Sequence, residues 1–247
     1  MTLDPVAFCD ELNRVFALNG LEPLLSDGKA DLLTAFAAYL VEENEKFNLT
    51  ALTSPDAIVL RHFADCASLV SRLPDVGKLI DVGCGAGFPS VVLAILCPSL
   101  AVTALDATEK KVRFVSGCAE RLGLQNLHAT VGRAETLAAP GASLRESFDV
   151  ATARAVARLP ILSELCLPFV SCGGAFFALK GREAEREAEE AKTAIPQLGG
   201  ELVGVFSRTL SDGVSDPVRH AVVEIAKKRK TPPEFPRLYA RILKKPL

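Results

Sequence analysis

The chain has 247 residues, 49% of them hydrophobic and 6% aromatic, enough for one substantial core plus an additional layer. A formal net charge of −2 excludes a protein that is basic throughout, although a basic face remains compatible with it. Seven scattered cysteines form no C-x-x-C pair and have no histidine at ligand spacing, which excludes a disulfide framework and leaves no metal site to expect.

The segment Met1–Asp10 carries two acids and no basic region, so no secretory signal is expected there. With no uncharged apolar run of membrane-spanning length, the expectation is a cytoplasmic protein without a membrane partner, and a monomer by default. The first 76 residues are expected to form a helical extension packed on the core. Ser26-Asp27 is expected to cap a helix with Leu32, Leu33, Phe36, Tyr39 and Leu40 on one face, and Ser54-Pro55 to open another. Between these helices, residues 44–51 are expected as a polar loop. Pro74-Asp75-Val76-Gly77 punctuates the boundary with a domain over 77–247.

From Lys78 the period changes. Apolar strands are predicted near 78–82, 101–106, 127–131, 148–153 and 174–180, with helices near 88–97, 108–122, 158–170 and 182–195. This alternation implies a Rossmann-like doubly wound sheet. Two further strands, 201–208 and 219–227, have no helix between them, so an antiparallel hairpin is expected at one edge. Residues 182–190 hold five glutamates and two arginines at helical spacing, read as a solvated helix face.

The first strand ends in Asp81 and runs into Gly83, Gly85 and Gly87, a turn whose backbone can approach a ligand. Phe88-Pro89 stands where a phosphate-gripping loop needs Lys and Ser or Thr, so that reading falls. The spacing is G-x-G-x-G, whereas the dinucleotide fingerprint is G-x-G-x-x-G. An acid before the loop repels pyrophosphate and suits the ammonium of an amino acid. Asp106, ending the second strand, sits where a ribose lies in such sheets. S-adenosylmethionine has both groups and no phosphate, so it is the expected cofactor. A nicotinamide-dependent oxidoreductase and a glycine turn with no ligand are the alternatives.

Arg154, at the carboxyl end of the fourth strand, is expected to meet the cofactor or a backbone phosphate; a surface ion pair is the competing reading. Phe88 is expected near the cofactor or target base, or in the core. Residues 219–247 hold nine Lys or Arg against two acids, which suggests a polyanion-facing surface; a solubilising tail is the alternative.

Several segments also carry a family resemblance: Asn48-Leu49-Thr50-Ala51, Arg61-His62-Phe63-Ala64-Asp65, Asp81 to Pro89, Arg133-Ala134-Glu135, Ala153 to Ala157, Leu179-Lys180-Gly181 and Lys230-Thr231-Pro232. In this order they resemble the small-subunit ribosomal RNA methyltransferase G family, once called glucose-inhibited division protein B. The resemblance runs from about residue 10 to the end; Cys84, Ser90 and Cys66 depart from the usual residues. It implies the class I S-adenosylmethionine-dependent methyltransferase fold. It further implies methylation of guanine N7 at position 527 of 16S rRNA, with the small ribosomal subunit or an assembly intermediate as partner. A non-catalytic rRNA-binding protein on the same fold stays open.

On this reading Asp81, Gly83, Gly85, Gly87, Phe88, Asp106, Ala134, Glu135 and Arg154 are expected to bind the cofactor, with an Ala134 or Glu135 amide on the adenine. Arg61, His62, Arg133, Lys180, Lys227, Lys228, Arg229, Lys230 and Arg237 are expected to bind RNA. No general base is expected, because guanine N7 has no proton to lose; Arg154, Lys180 and His62 are positioning candidates. Amine methylation would want an Asn/Asp-Pro-Pro-aromatic motif after the fourth strand, and pyrimidine carbon methylation a cysteine near it. Neither is seen in the sequence there.

Overall fold

A computed structural model describes residues 3–154 and 156–247. Met1 and Thr2 of the segment expected to hold no secretory signal, and Ala155 of the segment after the fourth strand, lie outside the described residues. Helices α1 (Pro5–Leu18), α2 (Lys29–Phe47), α3 (Pro55–Ile58) and α4 (Asp65–Ala67) come first, with a wide π-type turn over 59–64. Strands and helices then follow as β1 (Gly77–Val82), α5 (Ser90–Leu96), β2 (Leu100–Asp106), α6 (Glu109–Leu122), β3 (Leu127–Val131) and α7 (Ala134–Leu137). After them come β4 (Phe148–Arg154), α8 (Leu159–Cys166), β5 (Val170–Lys180), α9 (Ala184–Glu190) and α10 (Ala194–Gln197). The chain closes with β6 (Gly200–Leu210), β7 (Val218–Lys227) and α11 (Tyr239–Lys244).

The seven strands lie in the order β3-β2-β1-β4-β5-β7-β6. β1 to β5 pair in parallel, while β7 is antiparallel to both β5 and β6, giving the expected edge hairpin. The order reverses between β1 and β4, and a crevice opens at their carboxyl ends. Along each strand the side chains alternate between two layers. Leu79, Val102, Phe177 and Val222 join α1, α2, α5 and α6 on one face. Ile80, Ala151, Phe176 and Val223 join α8 and α9 on the other. The first 76 residues have no core of their own, because Phe8, Phe36 and Phe63 share the first layer with Val91 and Phe114.

Local chemistry departs from expectation in two places. Gly28 (φ +77°), not Ser26 or Asp27, starts α2, and no side chain caps it. α2 then runs through residues 44–47, expected as loop, and stops at Asn48 in the left-handed region (φ +54°). The Asn44 side chain accepts from the Thr50 amide at 2.8 Å, so a helical residue fixes the loop that follows. The hairpin tip is clasped by α1. Arg14 donates to the Asp212 carbonyl at 2.6 Å, and Asn19 exchanges bonds with the Ser211 backbone at 2.8 and 3.1 Å. Among the described residues no helix is long and apolar enough to cross a membrane.

Candidate active site

The β1–α5 loop is tied to the end of β2: the Gly83 and Cys84 amides both donate to the Leu105 carbonyl, at 2.7 and 2.9 Å. Gly83 sits at φ +80°, and a Cβ there would lie 2.6 Å from a Val156 methyl, so both conformation and space demand glycine. Gly85 (φ +55°) lines a cavity of about 490 Å³, and a Cβ there would meet only the Gly83 carbonyl oxygen, at 3.9 Å. Gly87 is also left-handed, at φ +85°, with Val91 filling the position of a Cβ. Asp106 lines the cavity, accepting from the Gly85 amide at 3.1 Å and the Thr108 amide at 2.8 Å. A carboxylate has about four acceptor positions, so hydroxyls can still be held there.

Asp81, expected to meet an ammonium, does not line the cavity. It is fully buried, accepting from the Ser90 amide at 3.1 Å and the Thr152 hydroxyl at 3.2 Å. Its carboxylate fastens the loop and β4 to the start of α5. Burial pushes its pKa up to about 6 against those hydrogen bonds. The other expected cofactor residues, Phe88, Ala134, Glu135 and Arg154, all face the cavity.

At the β4 side, the His62 ring stacks on Phe88 with centroids 4.2 Å apart, and Arg154 lies 5.4 Å over the same phenylalanine. Arg154 donates to His62 Nδ1, and His62 Nε2 lies 3.2 Å from the Thr50 hydroxyl. A guanidinium only donates, so Nδ1 accepts and Nε2 carries the proton. Burial, aided by Arg154, pushes the His62 pKa down to about 3. His62 is therefore neutral with both nitrogens engaged. Arg154 also pairs with Asp65 at 3.4 Å, and His220 Nδ1 lies 2.9 Å from the other Asp65 oxygen.

Cys66 lies 3.4 Å from Arg154, so a cysteine does stand beside the end of the fourth strand, contrary to the sequence reading. The two are far apart in the chain, which hid the contact. Burial drives this thiol up to about 12, and it faces neither cavity, so it is not a thiolate nucleophile.

A second cleft of about 920 Å³ adjoins the first, sharing Arg154 and Val156. Arg61, Arg158, Lys180, Arg182 and Arg219 line it. Of the acids in 182–190, expected on a solvated face, Glu183, Glu185, Glu189 and Glu190 are exposed and Glu187 is half-buried, and three of the five also meet these cations. Glu187 binds Lys180 at 2.7 Å, and Glu190 and Glu185 pair with Arg158 and Arg219. Lys180 is largely buried by that contact and by the Ala157 carbonyl.

The basic tail needs correction. Lys227, expected on RNA, is fully buried, donating to the Leu167 carbonyl and Thr231 hydroxyl with Glu146 3.6 Å away. Burial pulls its pKa down to about 8 despite Glu146. Arg237, likewise expected on RNA, is spent on the fully buried Glu164, with Nε and Nη2 bonds of 2.8 and 2.6 Å. Lys228, Arg229 and Lys230 are exposed, at the rim of the sheet opposite the crevice. β7 is antiparallel to β5, with Ala221 opposite Lys180 and Ala226 opposite Ala175, so its end lies away from the crevice. Roughly 20 Å of strand separates them from it, at about 3.3 Å per residue. Arg133, also expected on RNA, is exposed at the cavity mouth.

A family model described as rRNA small subunit methyltransferase G matches residues 29–210. The chain is 42% identical over 240 residues to "Ribosomal RNA small subunit methyltransferase G" of Streptococcus sanguinis, covering 96% of this chain and 98% of that protein. To the protein of the same name from Macrococcus caseolyticus it is 44% identical over 225 residues, covering 90% and 92%. Among solved structures, M. jannaschii TYW2 in complex with AdoMet superposes with a TM-score of 0.52 at 13% identity, over 66% of this chain and 75% of that one. A SAM-dependent methyltransferase from Methanosarcina mazei gives 0.51 at 14%, over 66% and 98%. These two likenesses speak for the fold.

Proposed function

The chain belongs to the rRNA small subunit methyltransferase G family, and from that premise we propose that it methylates guanine N7 in small-subunit rRNA. The activity is S-adenosylmethionine-dependent rRNA methylation. Its cofactor fits the first cavity: Gly85 leaves room for a ligand, and Asp106 has acceptor capacity for ribose hydroxyls. Phe88, Ala134 and Glu135 would complete the enclosure, and the first turn of α7 leaves amides without intrahelical acceptors. When bound, S-adenosylmethionine supplies a methyl group made electrophilic by its sulfonium.

One observation carries the choice of N7. The histidine facing the cavity is neutral, with both ring nitrogens occupied, so it accepts no proton. Guanine N7 is a lone-pair nucleophile that needs none taken. The chain's contribution is then alignment and exclusion of water, which position a nucleophile for in-line displacement. Arg154, held by Asp65 and His62 at the wall between the two cavities, fixes where the target base meets the methyl group. Arg61, Arg158, Arg182 and Arg219 in the second cleft take the RNA backbone. We read the working form as a cytoplasmic monomer acting on the small subunit or its precursor.

The test is to map N7-methylguanosine in 16S rRNA from cells with and without the gene, by chemical cleavage at modified sites. One cleavage disappears in the deletion and returns with the wild-type gene. An unchanged cleavage pattern overturns the proposal.

A further inference from the structure

The C-terminal segment leaves the sheet at the rim opposite the crevice and comes back to it. Two half-buried arginines guide its return. Arg145 donates to the carbonyls of Thr231 and Phe235 at 2.7 and 2.8 Å, and Arg237 is locked onto Glu164 by its side chain and its backbone amide. Two residues later Tyr239 opens α11 and faces the first cavity beside the β3–α7 loop, its ring 5.6 Å from the Arg133 guanidinium. Tyr239 belongs to none of the segments that carry the family resemblance.

We propose that Tyr239 is the aromatic wall against which the purine of the cofactor lies, so that the C-terminal segment sets cofactor affinity. This rests on the reading of the first cavity as the S-adenosylmethionine site. Asp106 fixes the ribose end, and beyond it the cavity runs to Gly132, Ala134 and Glu135, where Tyr239 supplies the aromatic face. A purine gains roughly 5- to 100-fold in affinity from stacking on such a ring. The ring is also preordered: half-buried against the second layer and tethered through Arg237, it loses little freedom when a ligand arrives.

Calorimetric titration with S-adenosylhomocysteine and with adenosine tests this on the full chain. Tyr239→Phe binds both within twofold of wild type, whereas Tyr239→Leu and Tyr239→Ala bind both about 5- to 100-fold more weakly. Fluorescence gives a reading that needs no variant at position 239. The chain has no tryptophan and two tyrosines, so Tyr39→Phe leaves Tyr239 as the sole reporter. Its emission changes with S-adenosylhomocysteine and saturates at the calorimetric Kd. Wild-type affinity in Tyr239→Leu, or emission blind to the ligand, overturns the role of Tyr239 while leaving the cavity assignment standing. Absence of binding to the wild type, or full binding to Asp106→Ala, overturns the cavity assignment and this proposal with it.

Discussion

Replacing Arg237 by alanine separates a structural cation from an RNA contact. Its guanidinium pairs with Glu164, which is 0% exposed, while the Arg237 side chain keeps 22% of its surface. Removing one partner of a buried pair costs about 3–5 kcal/mol, because the other charge is left stranded. Two features reduce that figure here. The arginine is partly hydrated, and the Arg237 backbone amide, 2.8 Å from Glu164 Oε1, survives the substitution. We expect about 2–3 kcal/mol of destabilisation, read from urea unfolding midpoints. Glu164→Met combined with Arg237→Met should cost less than Arg237→Ala alone, since no charge stays buried. Under conditions where Arg237→Ala is folded, the salt dependence of rRNA binding should match wild type. A loss below about 0.5 kcal/mol, with a log–log salt slope shallower by about 0.9, would mean that Arg237 touches phosphate and that the reasoning is wrong.

Opposite pKa shifts make stability depend on pH in opposite senses. His62 sits at about 3, below its usual 6.5, so its share of stability is whole above pH 6.5 and is lost as pH falls toward 3. Asp81 sits at about 6, above 3.8, so its share is whole below 3.8 and is lost as pH rises through 6. Between about pH 4 and 6, His62→Gln should therefore lose stability with rising pH relative to wild type, and Asp81→Asn should gain it; parallel unfolding curves for all three proteins would refute this. Charge reversal at Arg158, Arg182 and Arg219 should weaken rRNA binding and flatten its salt slope more than the same change at Lys228, Arg229 and Lys230 in filter-binding assays. Glu185→Gln with Glu190→Gln, by freeing two cleft arginines, should tighten binding. Gly83→Ala adds about 1–2 kcal/mol of left-handed strain and a 2.6 Å contact with Val156. S-adenosylhomocysteine affinity should fall, and Val156→Ala should recover part of it in calorimetry.

The central sheet was readable because buried parallel strands are near-continuous apolar runs, and β2, β4 and β5 end in Asp106, Arg154 and Lys180. Asp106 and the glycines were legible for the same reason: backbone conformation is written locally. Asp81 was placed correctly on its strand but given the wrong partner. A carboxylate pointing at a ligand and one pointing at the next helix have the same sequence. Within the basic run at 227–230, Lys227 misled, because charge density says nothing about which face of a strand a side chain takes. Lys227 alternates inward while its neighbours do not. The contact between Cys66 and Arg154, and the pairing of α9 with the cleft cations, join residues that only the folded sheet brings together. Tyr239 left no local signal at all, being one of two aromatics in a basic tail.

The clasp between α1 and the hairpin tip ties the order of synthesis to the order of folding. Phe8, Leu12 and Phe16 leave the ribosome among the first apolar side chains, yet the backbone groups that receive Arg14 and Asn19 belong to Ser211 and Asp212. Contacts of such long sequence separation form late, after loop closure has been met by the rest of the sheet. The apolar face of α1 can pack earlier, on α2 and Phe63, whereas its polar clasp closes last, once the hairpin is in place.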